Sequence, residues 1–164
     1  MRYIALLCTF MLLLSCDKDP AADTAPGPEQ IVRLSDSEIK GLDPQKISDL
    51  SSLRVAADQF EGLTRLDASG QAEPGLAKHW QIAPDGLTWT FALRDDLKFS
   101  DRTSFDAALF PALLDRLRAS ETAAPATALF ANILAVHATG KNSVTISLAS
   151  PDPSLPALLA RDTA

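Results

Sequence analysis

Few residues in this chain have the type and spacing needed for catalysis. Nucleophilic catalysis requires a serine or cysteine with a histidine within reach and an acid that orients the histidine. The sequence has two histidines, His79 and His137, and each lies in a strand-like run with no recognisable catalytic partner. The sequence also contains no HExxH, CxxC or glycine-rich phosphate-binding motif. We therefore predict structural histidines, no metal, no cofactor and no enzyme activity.

Carboxylates occur in two pairs that could in principle do acid–base work. Asp95 and Asp96 follow a strand-like run, and Glu38 and Asp43 flank a polar bend. We predict a solvated turn for the first pair and a structural role for the second. The formal net charge is −6 and no basic run occurs. Since phosphate groups require clustered lysines and arginines, this balance argues against a nucleic-acid partner.

A cysteine closes the first apolar run of the sequence. Arg2 precedes an apolar run at residues 3–14, which is shorter than the roughly 20 residues that span a bilayer. This pattern is typical of a secretory signal peptide. The residues Leu13-Leu14-Ser15-Cys16 resemble the bacterial lipobox, in which the cysteine is lipidated and becomes the mature N-terminus. We predict a lipoprotein signal peptide at residues 1–15 and lipidation at Cys16; an ordinary signal peptide with an incidental cysteine is the alternative.

The segment after the cysteine has the composition of a tether. Residues 16–28 are rich in aspartate, alanine and proline and lack apolar periodicity, which predicts a flexible linker. Asp17, directly after Cys16, resembles an inner-membrane retention signal. The other cysteine, Cys8, lies within the leader, so the mature domain has no disulfide pair. One globular region follows at residues 29–164.

Residues 72–101 form the most regular part of that region. Strand-like runs at residues 79–83 and 87–93 are joined by Pro84-Asp85-Gly86, which favours a turn between antiparallel strands. A short helical turn is predicted before them at residues 74–78. The alternation in the second run places four large apolar residues on one face, and Trp80 on the first strand is predicted to share it. These four residues are Leu87, Trp89, Phe91 and Leu93.

The remaining elements are predicted from periodicity. We predict a strand at residues 31–34, a helix at about residues 50–60 capped by Ser48-Asp49, and a hairpin at residues 134–138 and 144–148. Residues 105–118 have helical spacing, but Pro111 is expected to break or kink that helix. A last helix is predicted at residues 155–159. The apolar stripe of the capped helix comprises Leu50, Leu53, Ala56, Ala57 and Phe60, and that of the proline-containing segment comprises Leu109, Leu113 and Leu117.

Several of these blocks resemble one known family. The blocks are Leu42-Asp43-Pro44, Phe60-Glu61-Gly62-Leu63, Pro74-Gly75-Leu76-Ala77, Asp85-Gly86-Leu87-Thr88-Trp89-Thr90-Phe91, Leu93-Arg94-Asp95-Asp96 and Lys98-Phe99-Ser100-Asp101. They resemble the signature blocks of the solute-binding subunits of oligopeptide and dipeptide ABC importers. Arg102 stands where that family usually has glycine, so we expect the turn there to be built differently.

The resemblance implies an α/β fold of the type II periplasmic-binding-protein class, of which this chain is a partial copy. It would hold the first strand of the ligand lobe and an accessory domain of antiparallel hairpins and helices, with the second lobe beyond Ala164. The implied function is a lipid-anchored, monomeric subunit that binds peptides on the extracytoplasmic side of the cytoplasmic membrane and delivers them to a permease. The bend Ser48-Asp49-Leu50 is the matched segment expected to face the ligand.

Two other functions remain compatible with the sequence. The same fold could bind a nickel chelate, a sugar or a murein peptide, and the sequence does not distinguish these solutes. The chain could also be a small lipoprotein with a structural or interaction role and no transport ligand. A reading frame that continues beyond Ala164 would favour transport over the structural role, because a cleft between two lobes requires both lobes.

Overall fold

Two antiparallel hairpins join edge to edge into one four-stranded sheet, and helical segments pack on one of its faces. The structure is a computed structural model that describes Val32 and residues 34–161. In chain order its elements are helix α1 (Leu50–Gln59), strands β1 (Thr64–Leu66), β2 (Ala72–Pro74), β3 (Ala77–Ile82) and β4 (Thr88–Leu93), helix α2 (Leu109–Arg118), a 3-10 helix (Thr127–Phe130), strands β5 (Ile133–Ala138) and β6 (Ser143–Leu148), and helix α3 (Leu155–Leu158). All of them belong to one unit, Ser35–Ala164.

The main sheet has the strand order β3-β4-β6-β5, and a separate two-stranded sheet pairs β1 with β2. The two predicted hairpins are confirmed as β3-β4 and β5-β6. Their pairing with each other through β4 and β6 was not predicted from the sequence. In that pairing Trp89 lies opposite Ile146 and Phe91 lies opposite Val144. The pairing therefore creates one continuous apolar face from two half-sheets.

The turn between β3 and β4 follows the predicted chemistry. Gly86 has a φ of +71°, a conformation that glycine adopts without steric cost. The Gly86 N–H donates to the Ala83 carbonyl at 2.9 Å, and the Leu87 N–H donates to Asp85 Oδ1 at 2.9 Å. The turn is therefore closed by one main-chain bond and one aspartate side chain.

The alternation along β4 is also confirmed. Trp89, Phe91 and Leu93 are buried, and Trp80 packs against this core while remaining partly exposed. The ring centroids of Trp80 and Phe91 are 6.1 Å apart, and those of Trp89 and Phe91 are 6.3 Å apart. Both tryptophans thus contact one central phenylalanine, at distances typical of favourable aromatic pairs.

The helical turn predicted at residues 74–78 is wrong. That segment contains the end of β2, a bend and the start of β3. The Leu76 N–H donates to the Gly62 carbonyl at 3.1 Å, and the Ala77 N–H donates to the Leu63 carbonyl at 2.8 Å. Hydrogen bonds to a distant segment thus replace those of a local helix, and a proline-first pattern cannot reveal that competition.

Helix α1 has the predicted cap but not the predicted buried face. Asp49 is its N-cap, and its side chain accepts a hydrogen bond from the Ser52 N–H. Leu50 and Phe60, at the two ends of the expected apolar stripe, are exposed. Of the predicted stripe, Ala56 alone is fully buried, and the helix buries Ser51 and Ser52 beside it. The predicted apolar core face is therefore confirmed at Ala56 and wrong at its two ends.

Helix α2 is a single helix that begins later than predicted. It starts at Leu109, which places Pro111 in the first turn, where backbone N–H groups have no partner within the helix. The proline is therefore tolerated without the predicted break. The buried residues are Phe110, Leu114 and Leu117. Of the predicted leucine stripe, Leu117 alone is buried, and the other two leucines are exposed.

The last elements agree with the sequence. Pro156 lies in the first turn of α3, at the predicted helix start. The strand predicted at residues 31–34 lies largely outside the described residues, because Ile31 and Arg33 are not among them. Within the described part of the chain, none of the helices combines the length and apolar character that a membrane span requires.

The turn at Arg102 differs from its expected form. We expected a different turn geometry where arginine replaces glycine, but Arg102 keeps a positive φ of +70°. Its N–H donates to the Phe99 carbonyl at 2.8 Å, and the Phe99 N–H donates to the Thr103 carbonyl at 2.9 Å. The turn is therefore the one that glycine favours, with an arginine held in a left-handed conformation.

Relief of this strain is testable by substitution. We expect Arg102→Gly to raise the free energy of unfolding by about 0.5–1 kcal/mol. The left-handed conformation costs a non-glycine residue about 1–2 kcal/mol, and the extra freedom of glycine in the unfolded chain offsets part of that gain. Arg102→Ala is the matched control, since it removes the same side chain but keeps the strain. Urea unfolding that shows equal stability for both variants would contradict the prediction.

Candidate functional site

The predicted ligand-facing residues lie together at the start of α1. Asp49 has an extended backbone, with φ −84° and ψ 146°, and its Oδ1 accepts from the Ser52 N–H at 2.9 Å. This hydrogen bond is the main reason that the pKa of the Asp49 carboxyl lies below its ordinary value. The carboxylate of Asp49 therefore caps the helix. It would influence a ligand indirectly, by holding Ser48 and Leu50 in position.

Two buried serines in the first turn of α1 hold the bend in place through hydrogen bonds to the preceding loop. Ser51 and Ser52 are 3% and 0% exposed. Ser51 Oγ donates to Asp36 Oδ1 at 3.0 Å, and the Lys40 N–H donates to Ser52 Oγ at 2.9 Å. These bonds attach residues 36–40 to the first turn of α1. Both serines were missed in the sequence; the available signal was a Ser-Ser pair in the first turn of a helix, where hydroxyls can bond to nearby groups.

The other two predicted residues are open to solvent. Ser48 is exposed, and Leu50 is 57% exposed although it begins a helix. The bend therefore offers a leucine side chain, a serine hydroxyl and the backbone beside them. Such groups can make apolar contacts and neutral hydrogen bonds with a ligand, and they supply no nucleophile or acid–base pair. The geometry fits binding.

A partly exposed polar cluster, in which Gln45 is buried, connects the loop at residues 42–45 to α2. Asp43 accepts from Arg116 through both carboxylate oxygens, with Oδ1 at 3.1 Å from Nη1. Arg116 Nη1 also donates to Gln45 Oε1 at 2.7 Å, and Gln45 Nε2 donates to the Leu113 carbonyl at 3.1 Å. The bonds from Arg116 are the main reason that the pKa of Asp43 is lowered. The structural role predicted for Asp43 is thus a clamp between two segments.

A groove of about 670 Å³ lies next to this clamp. Its walls include residues 42–45, the end of α1, residues 98–100 and one side of α2. Large side chains are exposed on each of these four segments. They are Leu42, Phe60, Phe99 and Leu113. We refer to this feature as the apolar groove. The groove was not predicted from the sequence, because the spacing of Phe60 and Leu113 had placed both residues in buried stripes.

Both histidines lie in strands, as the sequence predicted. His79 and His137 are exposed on the two edge strands β3 and β5. Asp95 is exposed and accepts from Lys78 Nζ and from Asn142 Nδ2, each at 3.1 Å. Among the described residues, no group of three or more histidine, cysteine, aspartate or glutamate side chains is placed to hold a metal ion.

The predicted leader, the tether and Cys16 lie outside the described residues. Their assignment at residues 1–15 and 16–28 therefore stays a prediction from the sequence.

The sequence model of the bacterial extracellular solute-binding proteins, family 5 Middle, matches residues 71–164. The periplasmic oligopeptide-binding protein OppA of Salmonella typhimurium strain LT2 is 36% identical over 118 residues, which covers 69% of this chain and 22% of that protein. The matching proteins are solute-binding proteins by name.

Two further similarities extend the range of solutes. The probable deoxycholate-binding periplasmic protein YgiS of Escherichia coli strain K12 is 29% identical over 163 residues, which covers 88% of this chain and 30% of that protein. The solved structure of the Escherichia coli murein tripeptide binding protein MppA matches with a TM-score of 0.70 and 31% identity, covering 75% of this chain and 27% of that one. The chain therefore spans less than a third of the length of these proteins, and the structure is a partial copy of a type II periplasmic-binding-protein fold.

Proposed function

Because this chain belongs to the bacterial extracellular solute-binding proteins of family 5, we propose that it is the N-terminal part of a peptide-binding subunit of an ABC importer. Peptides are favoured as the solute because two of the three similar proteins, OppA and MppA, are named for binding peptides. The geometric observation that supports binding is the exposed bend at Ser48–Leu50, which two buried serines hold in place. A rigid bend reduces the conformational entropy that is lost when a ligand binds.

In this proposal the bend contacts the ligand without catalysing a reaction. Leu50 supplies an apolar contact, and Ser48 and the adjacent backbone supply hydrogen bonds. Main-chain hydrogen bonds give affinity that depends little on the side chains of a peptide. A second lobe supplies the other wall of the cleft, and the permease receives the peptide from the closed protein. Asp49 acts indirectly, since its side chain is used to cap the helix.

The proposal is tested with the complete reading frame that contains this chain. We expect a mixed library of short peptides to bind to the complete protein, with Leu50→Glu weakening the binding at least tenfold. A charge buried against a ligand loses hydration that the cleft does not replace. Leu134→Glu is the matched control, because Leu134 is 60% exposed on β5 and Leu50 is 57% exposed. Isothermal titration calorimetry that shows equal affinity for both variants would exclude the bend as the contact.

We also expect residues 17–164 alone to bind these peptides with a dissociation constant above about 1 mM. One wall makes a fraction of the contacts of a two-lobed cleft, and each lost hydrogen bond to a charged terminus removes about 1.5–3 kcal/mol. Each 1.4 kcal/mol is about a tenfold loss of affinity. Micromolar binding to this chain alone would mean that the whole site lies within it.

An amphipathic solute that is not a peptide is the second candidate. It is favoured by YgiS, named as deoxycholate-binding, which matches the largest share of this chain among the three similar proteins. Titration of the complete protein with deoxycholate beside the peptide library separates the two candidates. Binding of the bile acid without binding of peptides would replace the peptide assignment.

The proposed location is the outer face of the cytoplasmic membrane, with a lipid anchor at Cys16. We expect Cys16→Ser to move the protein from the membrane pellet into the soluble extracytoplasmic fraction. The substitution removes the site of lipidation, and stable anchoring needs two or more acyl chains. Cys8→Ser is the matched control and should leave the protein in the pellet. A wild-type protein that stays in the supernatant after centrifugation would refute the lipid anchor.

A further inference from the structure

The apolar groove exposes large side chains at each of its walls. Leu42 is 51% exposed, Phe60 44%, Phe99 45% and Leu113 37%. Exposed apolar residues that occur singly are ordinary on protein surfaces, whereas a contiguous group marks an interaction site. These four come from separate segments of the chain and line the same concave surface. The groove is therefore a surface that loses unfavourable contact with water when something covers it.

Its walls are held in place before any partner arrives. The ring centroids of Phe99 and Phe105 are 5.2 Å apart, and those of Phe105 and Phe110 are 5.7 Å apart. The ion pair of Asp43 and Arg116 fixes the loop at residues 42–45 to α2. A preformed groove of this kind loses little conformational freedom when a partner binds.

We propose that the apolar groove docks the polypeptide that follows Ala164 in the complete protein. This inference rests on the proposed function, in which the chain is the first part of a longer solute-binding protein. The three similar proteins are longer than the part this chain spans, with 70–78% of their lengths outside it. Polypeptide that could cover the groove is therefore abundant in proteins of this family.

The charges around the groove specify the chemistry of the docked segment. Asp43 and Glu61 are already paired with arginines, at Arg116 and Arg94. Lys98 lines the groove, and no ion-pair partner for it is found among the described residues. The docked segment is therefore expected to be apolar along its length and to place an aspartate or glutamate beside Lys98.

Cysteine labelling tests this docking directly. In a background that carries both Cys8→Ser and Cys16→Ser, Phe99→Cys and Leu113→Cys each place a single thiol in the groove. Leu134→Cys places a control thiol on β5, where the leucine is 60% exposed. The maleimide labelling rate is measured for the chain that ends at Ala164 and for the complete reading frame. Two groove positions are used so that the result does not depend on one substitution being tolerated.

We expect both groove thiols to react at least tenfold more slowly in the complete protein, with a smaller change at position 134. Equal labelling rates in the two proteins, or slowing that is the same at position 134, would overturn the proposal. A reading frame that stops at Ala164 would overturn it as well. The result is independent of the solute, since a complete protein that protects the groove but binds no peptide would leave the docking intact and refute the peptide function.

Discussion

Gly62→Ala is expected to lower the free energy of unfolding by about 3 kcal/mol or more. A Cβ atom at this position would lie 2.4 Å from the Leu159 carbonyl oxygen and 3.0 Å from the Thr64 carbonyl oxygen. Both contacts are with backbone, which cannot rotate away as a flexible side chain would. Insertion of atoms into a closely packed region typically costs about 1–3 kcal/mol, and more where the backbone must shift. Urea unfolding monitored by tryptophan fluorescence measures the loss.

The backbone around Gly62 has little room to move, because it joins three parts of the fold. The Gly62 carbonyl accepts from the Leu76 N–H at 3.1 Å, and the Thr64 N–H donates to the Leu159 carbonyl at 3.5 Å. Thr64 Oγ1 also donates to the Pro156 carbonyl of α3. A shift that relieves the added methyl group therefore weakens hydrogen bonds to the segment before β3 and to α3.

A second glycine meets the first at this junction. A Cβ atom on Gly75 would lie 2.7 Å from the Gly62 carbonyl oxygen. We therefore expect Gly62→Ala and Gly75→Ala to be non-additive, since both substitutions push the same strands apart.

Gly41→Ala is the matched control for these substitutions. A Cβ atom there would lie 3.2 Å from Ile47 Cγ2, which belongs to a side chain that can adjust. We expect its effect on the free energy of unfolding to stay within about 1 kcal/mol. Equal losses for Gly41→Ala and Gly62→Ala would show that the effect comes from backbone freedom of glycine in general and not from close packing at the junction.

The sequence predicted elements whose signals are local. Alternation of apolar residues identified β4, and Pro84-Asp85-Gly86 identified its turn. The cap at Asp49 was likewise predicted from residue type. Each of these signals depends on residues within a few positions, so the predicted element forms independently of how distant segments pack.

The sequence failed where distant segments compete for the same groups. The helical turn predicted at residues 74–78 was wrong because Leu76 and Ala77 bond to the segment at residues 62–63. The buried stripe predicted for α1 was wrong at its two ends because Ser51 and Ser52 turn inward to hold the preceding loop. Periodicity reports that a helix is amphipathic, but it does not report which partner covers the apolar side.

The candidate site was also predicted in part. The bend Ser48–Leu50 was predicted from the resemblance to the family, and the structure places all three residues at the start of one helix. The apolar groove was not predicted, because its lining residues come from segments that are far apart in the sequence. Its exposed leucines and phenylalanines looked like core residues. Only their positions in the fold distinguish an uncovered surface from a core.

Trp89→Ala is expected to lower the free energy of unfolding by about 3–5 kcal/mol, which is typical when a buried large aromatic residue is truncated. Trp89 is 6% exposed in the centre of the sheet, between Ile82 on β3 and Ile146 on β6. Its ring also stacks on Phe91. Since small domains are stable by about 5–15 kcal/mol, the variant should be marginally folded at room temperature. Thermal unfolding followed by circular dichroism measures the change.

Trp89→Phe separates the contribution of the indole N–H from that of the ring. The buried Nε1 of Trp89 has no hydrogen-bond partner within the described part of the chain. A buried donor without a partner costs about 1–3 kcal/mol, so its removal offsets part of the packing that phenylalanine loses. We therefore expect Trp89→Phe to cost less than about 1.5 kcal/mol. A loss as large as that of Trp89→Ala would contradict an unpaired Nε1, and an unchanged melting temperature for Trp89→Ala would mean that Trp89 faces solvent.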